Sequence, residues 1–433
     1  MAAALQASAV YATNPIILDQ FSADPTARVF DGKIYVYPSH DIVAVPGKGR
    51  PGWFCMEDYH VFSSENLTDW QDHGVIVSQT GVDWVNPTSY SLWAPDCVFR
   101  NGKYFFYFPA LAKDGGFRIG VATAGKPAGP FKPEAAPMEG VRGIDPCVLI
   151  DKDGSAYLYY AMRQIFVAKL KDDMLGLAEA PAAIANLPAK GLLEGPFVFE
   201  RNGTYYLTYP HVENRTERLE YAMGRSPQGP FTPAGVILDE SSSGCWTVHQ
   251  SIVEYRGQWY LFYHDNDLSP DFDKARAIRA DRLFFHDDGT IAKVVPTLRG
   301  VGIVDARREI QIDRYSAISR EGAAVAFVNP AVPREGWKVS LSGSASWVRF
   351  DDVDFGKHAL RSMAARMVSA KGGAIELRLD QESGPLLGRA EIRPGTAWEV
   401  IRAGLETVPA GVHNLVVIQT GANPVEVDWI SFE

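Results

Sequence analysis

The chain has 433 residues, of which 46% are hydrophobic and 22% are charged, and this composition excludes an intrinsically disordered protein. A formal net charge of −10 at pH 7 makes nucleic acid and anionic membrane surfaces poor partners. No apolar run reaches the roughly 18 residues of a transmembrane helix, so we expect no membrane span.

The N-terminal residues and the cysteines bear on the cellular compartment. Residues 1–13 are rich in alanine and contain no basic residue, which is not the pattern of an intact secretory signal. The four cysteines are far apart in sequence, so we predict buried free thiols and no disulfide framework. We expect a secreted or periplasmic protein if a signal peptide has been removed, and a cytoplasmic protein otherwise.

A short phrase recurs five times within the first three hundred residues. Each copy is a turn that contains glycine, followed by a strand rich in aromatic and β-branched residues. The copies begin at Asp31, Asn101, Asp153, Asn202 and Arg256. Because Asn-Gly and Asp-Gly between apolar runs are strong hairpin signals, each copy predicts the turn and second strand of a hairpin. The predicted first strands cover residues 27–30, 97–100, 147–150, 197–200 and 251–255.

The spacing of the five copies predicts the fold. Successive turn glycines are 70, 52, 49 and 54 residues apart, and units of about 50 residues are typical of β-propeller blades. We therefore predict an all-β protein with a five-bladed β-propeller over residues 1–305. A β-sandwich whose hairpins are similar by chance is the alternative. One short helical segment is predicted between residues 172 and 185, interrupted by Pro181.

A polar side chain precedes the first strand of every predicted hairpin. These residues are Asp24, Asp96, Asp145, Glu194 and His249. If the first strands are innermost, all five side chains face the same end of the central channel. Crowded carboxyl groups cannot all ionise freely, so we expect one of them to have a raised pKa. Glycoside cleavage needs one protonated and one ionised carboxyl group. Asp before Pro is also a common turn opener, which is the alternative interpretation of each position.

The phrases around these residues resemble glycoside hydrolase family 43, whose members are five-bladed propellers. The matching phrases are Ala23-Asp24-Pro25, Trp93-Ala94-Pro95-Asp96, Ile144-Asp145-Pro146 and Glu194-Gly195-Pro196. The resemblance implies an inverting glycosidase in which Asp24 is the general base and Glu194 is the general acid. It further implies that Asp145 modulates the pKa of the acid and holds it in place, whereas Asp96 is structural.

The same resemblance suggests further pocket residues and a metal. Arg276 corresponds to an arginine that contacts the sugar, and Trp93 is expected either in the wall of the sugar pocket or packed beneath Asp96. His249 corresponds to a histidine near the propeller axis that often coordinates a structural Ca2+ together with waters, and an ordinary structural histidine is the alternative. The resemblance implies that no cofactor is required for the chemistry. The aromatic loop with Trp53 is expected to close one end of the pocket and favour terminal sugars.

Residues 306–433 predict a second, jelly-roll-like β-sandwich domain. Short alternating strands are expected at residues 346–350, 374–379, 389–392 and 414–419. The phrases at residues 310–315, 347–350, 373–380 and 427–430 resemble carbohydrate-binding module family 6.

The resemblance to that module carries two site predictions. It implies a structural Ca2+ near both ends of the domain, with Asp313 and Asp428 as ligands, although Gln311 stands where an acidic residue is usual. Trp398 is the candidate sugar-binding aromatic residue. The alternative is a domain that only braces the catalytic one.

Together these patterns predict an exo-glycosidase that acts on plant polysaccharides or oligosaccharides. The enzyme is expected to remove terminal α-L-arabinofuranosyl or β-D-xylosyl residues, and the expected partners are glycans that contain arabinose or xylose. A β-D-galactofuranosidase with the same mechanism and a non-catalytic carbohydrate-binding propeller are the alternatives. The sequence leaves the linkage and the oligomeric state open.

Overall fold

The computed structural model describes residues 13–433 except residues 192, 333, 334, 344, 345, 358, 359, 407 and 409. The described chain divides into two compact units. One contains Pro15–Glu65 and Trp70–Val295, and the other contains Pro296–Glu433 with Asn14 and Asn66–Asp69. The predicted domain boundary between residues 305 and 306 stays a prediction.

The described residues of the first unit form five antiparallel sheets. The first sheet contains β1 (Ser22–Phe30), β2 (Lys33–His40), β3 (Asp58–Ser64) and β4 (Gln71–Ser78). The second contains β5 (Asp96–Arg100), β6 (Lys103–Leu111), β7 (Phe117–Ala124) and β8 (Lys132–Pro133). The third contains β9 (Ile144–Ile150), β10 (Ala156–Ala161), β11 (Ile165–Lys169) and β12 (Ala182–Ala183). The fourth contains β13 (Phe197–Arg201), β14 (Thr204–Val212), β15 (Glu217–Gly224) and β16 (Phe231–Leu238). The fifth contains β17 (Ser251–Tyr255), β18 (Gln258–Asp265) and β19 (Ala277–Leu283).

The first strands of the five sheets form a closed ring. Strand β1 contacts β5, β5 contacts β9, β9 contacts β13, and β13 contacts β17. The ring is closed because β17 contacts β1. The N-terminal segment joins the fifth sheet, because the Ile16 N–H donates to the Ile278 carbonyl of β19. The Ser22 N–H donates to the carbonyl of Arg276, which directly precedes β19. Each first strand is therefore innermost, and the predicted five-bladed propeller is confirmed.

Helical structure is almost absent from the described chain. The helical element is a short 3₁₀ turn, Gln79–Gly81, and none of the described helices has the length and apolarity of a membrane span. The short helix predicted between residues 172 and 185 is wrong, since this segment forms turns and the two-residue strand β12. Met174 has a left-handed φ of 65°, and Pro181 cannot donate a helical hydrogen bond.

The second unit contains two six-stranded sheets. One is built from β20 (Val304–Asp305), β22 (Ala317–Ile318), β25 (Trp347–Asp354), β27 (Gly373–Leu379), β28 (Leu386–Ile392) and β30 (Val412–Gln419). The other is built from β21 (Ile310–Gln311), β23 (Ala323–Phe327), β24 (Trp337–Leu341), β26 (Ser362–Val368), β29 (Glu399–Gly404) and β31 (Val425–Phe432).

One hydrophobic core joins the two sheets of this unit. Alternate residues of β25 and β30, such as Val348 and Val417, pack in the same buried cluster as Val339 of β24 and Val427 of β31. Two sheets that share one core face to face form a β-sandwich. The predicted sandwich is therefore confirmed, including strands at all four predicted positions.

Candidate active site

Two β-bulges turn two aspartates out of regular strand geometry. In β1, Ala23 pairs with Ser39 and Thr26 pairs with Tyr37, so Asp24 and Pro25 together face one residue of β2. Asp145 and Pro146 form the equivalent irregularity in β9. Asp24 and Asp145 have φ values of 49° and 57°, a left-handed conformation that Asp tolerates better than most residues. A bulge redirects a side chain, and a proline fits there because no ladder hydrogen bond is required.

Asp24 is buried and held as a carboxylate. Arg276 Nη1 donates to Asp24 Oδ1 at 2.9 Å and Nη2 donates to Oδ2 at 3.2 Å, while the Ser39 hydroxyl also donates to Oδ2. Burial by itself would raise the pKa of Asp24, but the Arg276 charge and the other polar neighbours outweigh it and hold that pKa well below its usual range. Asp24 is therefore ionised throughout the neutral pH range.

Arg276 also binds a second aspartate. Its Nε donates to Asp41 Oδ2 at 2.8 Å and its Nη2 donates to Asp41 Oδ1 at 2.9 Å. Both carboxylates and the guanidinium are buried, and the Phe54 ring covers the guanidinium at 4.9 Å. One arginine thus bridges two aspartates that would otherwise repel each other.

Replacement of Arg276 by alanine is expected to destabilise the protein strongly. Arg276→Ala leaves two uncompensated buried carboxylates, so the free energy of unfolding should fall by about 3–5 kcal/mol. Chemical denaturation measures this change. Lys33→Ala is the control, because Lys33 pairs with Glu65 on the surface and its loss should have no measurable effect. Equal stability of the two variants would contradict the assigned ion-pair network.

Glu194 and Asp145 meet through the backbone of Gly195. The Gly195 N–H donates to Asp145 Oδ2 at 3.0 Å. Gly195 has a φ of 52°, and a Cβ at this position would approach Pro210 Cδ to 2.8 Å and His249 Nδ1 to 3.0 Å. Glycine is therefore required between Glu194 and Pro196, and it fixes the position of Glu194 relative to Asp145.

Three carboxyl groups lie close together here: Asp145 and Glu217 are buried, and Glu194 is half-buried in the cavity wall. Burial raises the pKa of Glu194 to about 7. Burial also raises the pKa of Asp145 and of Glu217 well above their usual values, and the neighbouring Glu194 adds to both shifts. The Glu217 carboxyl forms a hydrogen bond to Glu194 that favours the ionised form of Glu194, and Glu217 Oε2 accepts from the Val248 N–H at 2.8 Å. These groups therefore retain protons near neutral pH, unlike Asp24.

A single cavity of about 210 Å³ connects the predicted residues. Asp24, Asp145, Glu194, His249 and Arg276 all line it. A volume of this size is well above the roughly 10–15 Å³ that one water needs, so the cavity can admit a small molecule.

Aromatic side chains form much of the cavity wall. Trp53, Phe54, Trp93 and Trp246 line it, and Trp93 lies 4.4 Å from Phe117 between ring centroids. Trp53 and Trp246 are 42% and 39% exposed, so their faces remain accessible to a ligand. The structure thus places Trp93 in the pocket wall. Asp96 lies outside the lining, since its carboxylate binds Arg28 and the Val148 N–H.

His249 is a poor match to a calcium site built from protein side chains. Ca2+ takes about six to eight oxygen ligands, whereas His249 offers one nitrogen. Burial lowers the pKa of His249, so its ring is neutral. Within the described chain, His249 belongs to no close group of three His, Cys, Asp or Glu side chains. Ca2+ binding at His249 stays a prediction, and no catalytic step is derived from it.

The two predicted calcium ligands of the sandwich lie near each other. Burial raises the pKa of Asp313, and the Asp428 charge contributes to that shift. Each carboxylate already has an arginine partner, because Asp428 accepts from Arg366 and Asp313 lies 3.4 Å from Arg314. This Ca2+ site also stays a prediction. The Arg366 guanidinium lies 5.0 Å from the Trp398 ring, so it covers one face of the predicted sugar-binding residue.

Several site residues escaped the sequence analysis. Ser39 of β2 and Asp41 just after that strand flank the cavity, Glu217 reaches Glu194 from β15, and Trp246 adds an exposed aromatic wall. None of these four lies in a repeated phrase. Ser39 and Asp41 are two residues apart at the end of β2, and this spacing is the one signal that could have placed both side chains on the same side of the chain.

Comparison with known proteins supports the enzymatic interpretation of this cavity. The sequence profile of "Glycosyl hydrolases family 43" matches residues 12–291, and that of "Carbohydrate binding module (family 6)" matches residues 322–433. Xylosidase/arabinosidase 43A of Humicola insolens is 38% identical over 331 residues, which cover 65% of this chain and 99% of that protein. A xylosidase/arabinosidase of Bacteroides ovatus is 36% identical over 320 residues, covering 64% of this chain and 96% of that protein.

Comparison with solved structures supports the same enzymatic interpretation. One is a β-xylosidase/α-arabinofuranosidase from a compost microbial metagenome, solved in complex with xylotriose in a calcium-free form. It is 36% identical to this chain with a TM-score of 0.60, and the match covers 66% of this chain and 98% of that chain. An arabinoxylan arabinofuranohydrolase from Bacillus subtilis is 25% identical with a TM-score of 0.57, covering 98% of this chain and 97% of that chain. Members of this family need no cofactor for hydrolysis. The chain therefore belongs to glycosyl hydrolase family 43, carries a family 6 carbohydrate-binding module, and is a glycoside hydrolase.

Proposed function

We propose that this hydrolase is an inverting exo-glycosidase that removes terminal α-L-arabinofuranosyl or β-D-xylosyl residues from plant polysaccharides or oligosaccharides. The observation that carries the proposal is one cavity lined by an ionised Asp24 and by a Glu194 whose pKa is raised to about 7. Two carboxyl groups with opposite protonation states are the requirement for acid–base cleavage of a glycosidic bond.

Asp24 acts as the general base in this proposal. Its carboxylate accepts a proton from a water molecule, which attacks the anomeric carbon from the face opposite the leaving group. Arg276 and Ser39 fix the carboxylate, so little reorganisation is needed when the water loses its proton. One displacement of this kind inverts the anomeric configuration.

Glu194 acts as the general acid. It donates its proton to the glycosidic oxygen as the bond to the anomeric carbon breaks. Asp145 is a positioning residue, because its carboxyl group accepts from the Gly195 N–H and holds the adjacent Glu194. The neighbouring Glu194 also raises the pKa of Asp145, so Asp145 retains its proton near neutral pH.

The shape of the cavity supports removal of single terminal sugars. Trp53 and Phe54 come from the long loop between β2 and β3, and Trp246 comes from the loop before β17. These rings surround a space that admits a small molecule, and aromatic faces suit the apolar face of a sugar ring.

The relatives support a pentose as the substrate. The two relatives described above carry the names of xylosidase and arabinosidase activities. A β-D-galactofuranosidase from Aspergillus niger is also similar, at 28% identity over 311 residues, and it makes galactofuranosides the second candidate. A panel of nitrophenyl β-D-xyloside, α-L-arabinofuranoside and β-D-galactofuranoside, followed by product analysis on arabinoxylan and xylo-oligosaccharides, separates the candidates. Release of internal fragments without monosaccharide would contradict exo action.

The value of kcat/KM is expected to fall as the pH rises above about 7. Because Glu194 must be protonated to act, kcat/KM should decrease about tenfold per pH unit above an apparent pKa of about 7. The pKa of Asp24 lies well below its usual range, so no acidic limb is expected between about pH 5 and 6 for as long as the protein stays folded. Initial rates between pH 5 and 9 measure the profile.

A change at Glu217 provides the control for this pH dependence. Glu217 donates a hydrogen bond that favours ionised Glu194, so Glu217→Leu should move the alkaline limb to higher pH. Glu217→Gln keeps a donor and should leave the limb near that of the parent. An alkaline limb that is identical in all three proteins would contradict the assigned contact.

A further inference from the structure

A second group of polar side chains lies on the first blade, outside the cavity. One ligand atom from each of His40, Asp58 and His60 lies within 4.8 Å of the others, and within the described chain this is the one group of three or more His, Cys, Asp or Glu with such spacing. The three residues come from β2 and β3, adjacent strands of one sheet. Their side chains are 15–19% exposed, so they are largely shielded from water.

The protonation of His60 leaves one nitrogen without a proton. Its Nδ1 lies 3.0 and 3.1 Å from the two oxygens of Asp72, so Nδ1 carries the hydrogen and donates it. In neutral His60 the Nε2 atom then presents a lone pair. This atom lies 4.0 Å from Asp58 Oδ1, which is too far for a hydrogen bond. Two electron-rich atoms therefore face each other across a gap that a cation would fill.

The spacing suits a small transition-metal ion. Zinc bonds of about 2.0–2.2 Å in a tetrahedral arrangement place the ligand atoms ~3.3 Å apart. Asp58 Oδ1 lies 2.7 Å from His40 Nδ1 and 4.0 Å from His60 Nε2, so shifts of less than 1 Å bring both of these pairs to that separation. Two imidazoles and one carboxylate are a donor set that zinc prefers, whereas Ca2+ and Mg2+ prefer oxygen alone.

Asp72 lies where a carboxylate would orient a metal-binding histidine. A histidine that binds a metal commonly donates its other N–H to a carboxylate, which orients the ring and increases its basicity. Asp72 on β4 makes this contact with His60. We propose that His40, Asp58 and His60 bind one zinc-class divalent ion, with a water as the fourth ligand and with Asp72 orienting His60.

The strand that carries His40 also connects this site to the cavity. Ser39 and Asp41 are its chain neighbours, and they contact Asp24 and Arg276 respectively. An ion held by His40 would therefore anchor the segment that positions the proposed base. This connection rests on the proposed function, whereas metal binding is measured without any glycosidic substrate.

The test uses the full chain without an affinity tag, dialysed against a chelator and titrated with Zn2+ by calorimetry. The expected result is one Zn2+ bound per chain. Co2+ in place of Zn2+ should give the visible absorption of a tetrahedral site. His60→Gln should abolish both signals, and Asp72→Asn should weaken Zn2+ binding about 10–100-fold.

His73→Gln is the matched control. His73 lies on the same blade and contacts Ser63 at 2.8 Å, so its replacement should leave the Zn2+ affinity unchanged. Absence of stoichiometric Zn2+ binding, or binding that persists in His60→Gln, would show that the group is only a hydrogen-bond network. Preference for Ca2+ or Mg2+ over Zn2+ would equally overturn the proposal.

Discussion

Asp24→Asn is expected to reduce kcat by about 10²–10⁴-fold on both natural and activated glycosides, because it removes the proposed base, which accepts the proton of the attacking water. The amide has nearly the shape of the carboxylate, so the substrate should still enter the cavity and KM should change little. The loss should be similar for nitrophenyl β-D-xyloside and for xylobiose, since water must be activated whatever the leaving group is.

Asp41→Asn separates catalysis from stability in this comparison. Asp41 binds the same arginine as Asp24, but it is absent from the lining of the cavity. Both variants lose one buried charge beside Arg276, so both should be less stable. The Asp41 variant should nevertheless retain most of its activity per folded molecule. Equal losses of kcat in the two folded variants would contradict the role of Asp24 as base.

Glu194→Gln should have an effect of similar size that depends on the leaving group. Without a proton donor, cleavage of xylobiose should slow by about 10²–10⁴-fold. A dinitrophenyl glycoside releases a stable anion that needs no protonation, so its hydrolysis should be much less affected. The alkaline limb of the pH profile should also disappear, because the group that produces it has been replaced.

Glu217→Gln is the matched change for Glu194→Gln. Glu217 is buried beside Glu194 but does not line the cavity, so its amide variant should cleave xylobiose at nearly the parent rate. If Glu194→Gln reduced the hydrolysis of both leaving groups equally, Glu194 would hold the substrate and would not act as the acid.

The fold was predictable because the propeller repeats a local signal. Each Gly-containing hairpin turn is determined by a few adjacent residues, and the five turns occur at intervals close to one blade. The closure of the ring was also predictable, since the innermost strands follow from the repeat. The false helix near Pro181 shows the limit, because a segment of modest helical composition there follows a left-handed residue and forms turns.

The convergence of Asp24, Asp145 and Glu194 on one cavity was predictable from their shared position in three blades. Their protonation states were harder to predict. The sequence predicted that Asp145 modulates the pKa of Glu194, whereas burial is the largest cause of the raised Glu194 pKa. Burial depends on how the whole chain packs, so a local sequence motif does not reveal it.

Contacts between distant strands were also hidden from the sequence. Arg276 matches a family arginine expected at the sugar, but its bonds to Asp24 and Asp41 span 252 and 235 residues. Glu217 approaches Glu194 because of how β15 packs in its blade, and no motif marks it. Such partners are determined by tertiary packing, so the structure was needed to find them.

The most direct test of the account is the anomeric configuration of the first product. Proton NMR of the reaction on a β-D-xyloside, recorded before mutarotation, distinguishes α-xylose from β-xylose. Direct attack by a water activated at Asp24, with Glu194 protonating the leaving oxygen, predicts α-xylose as the first product. If β-xylose formed first, a carboxylate would act as a nucleophile through a covalent intermediate, and the proposed single displacement across this cavity would be contradicted.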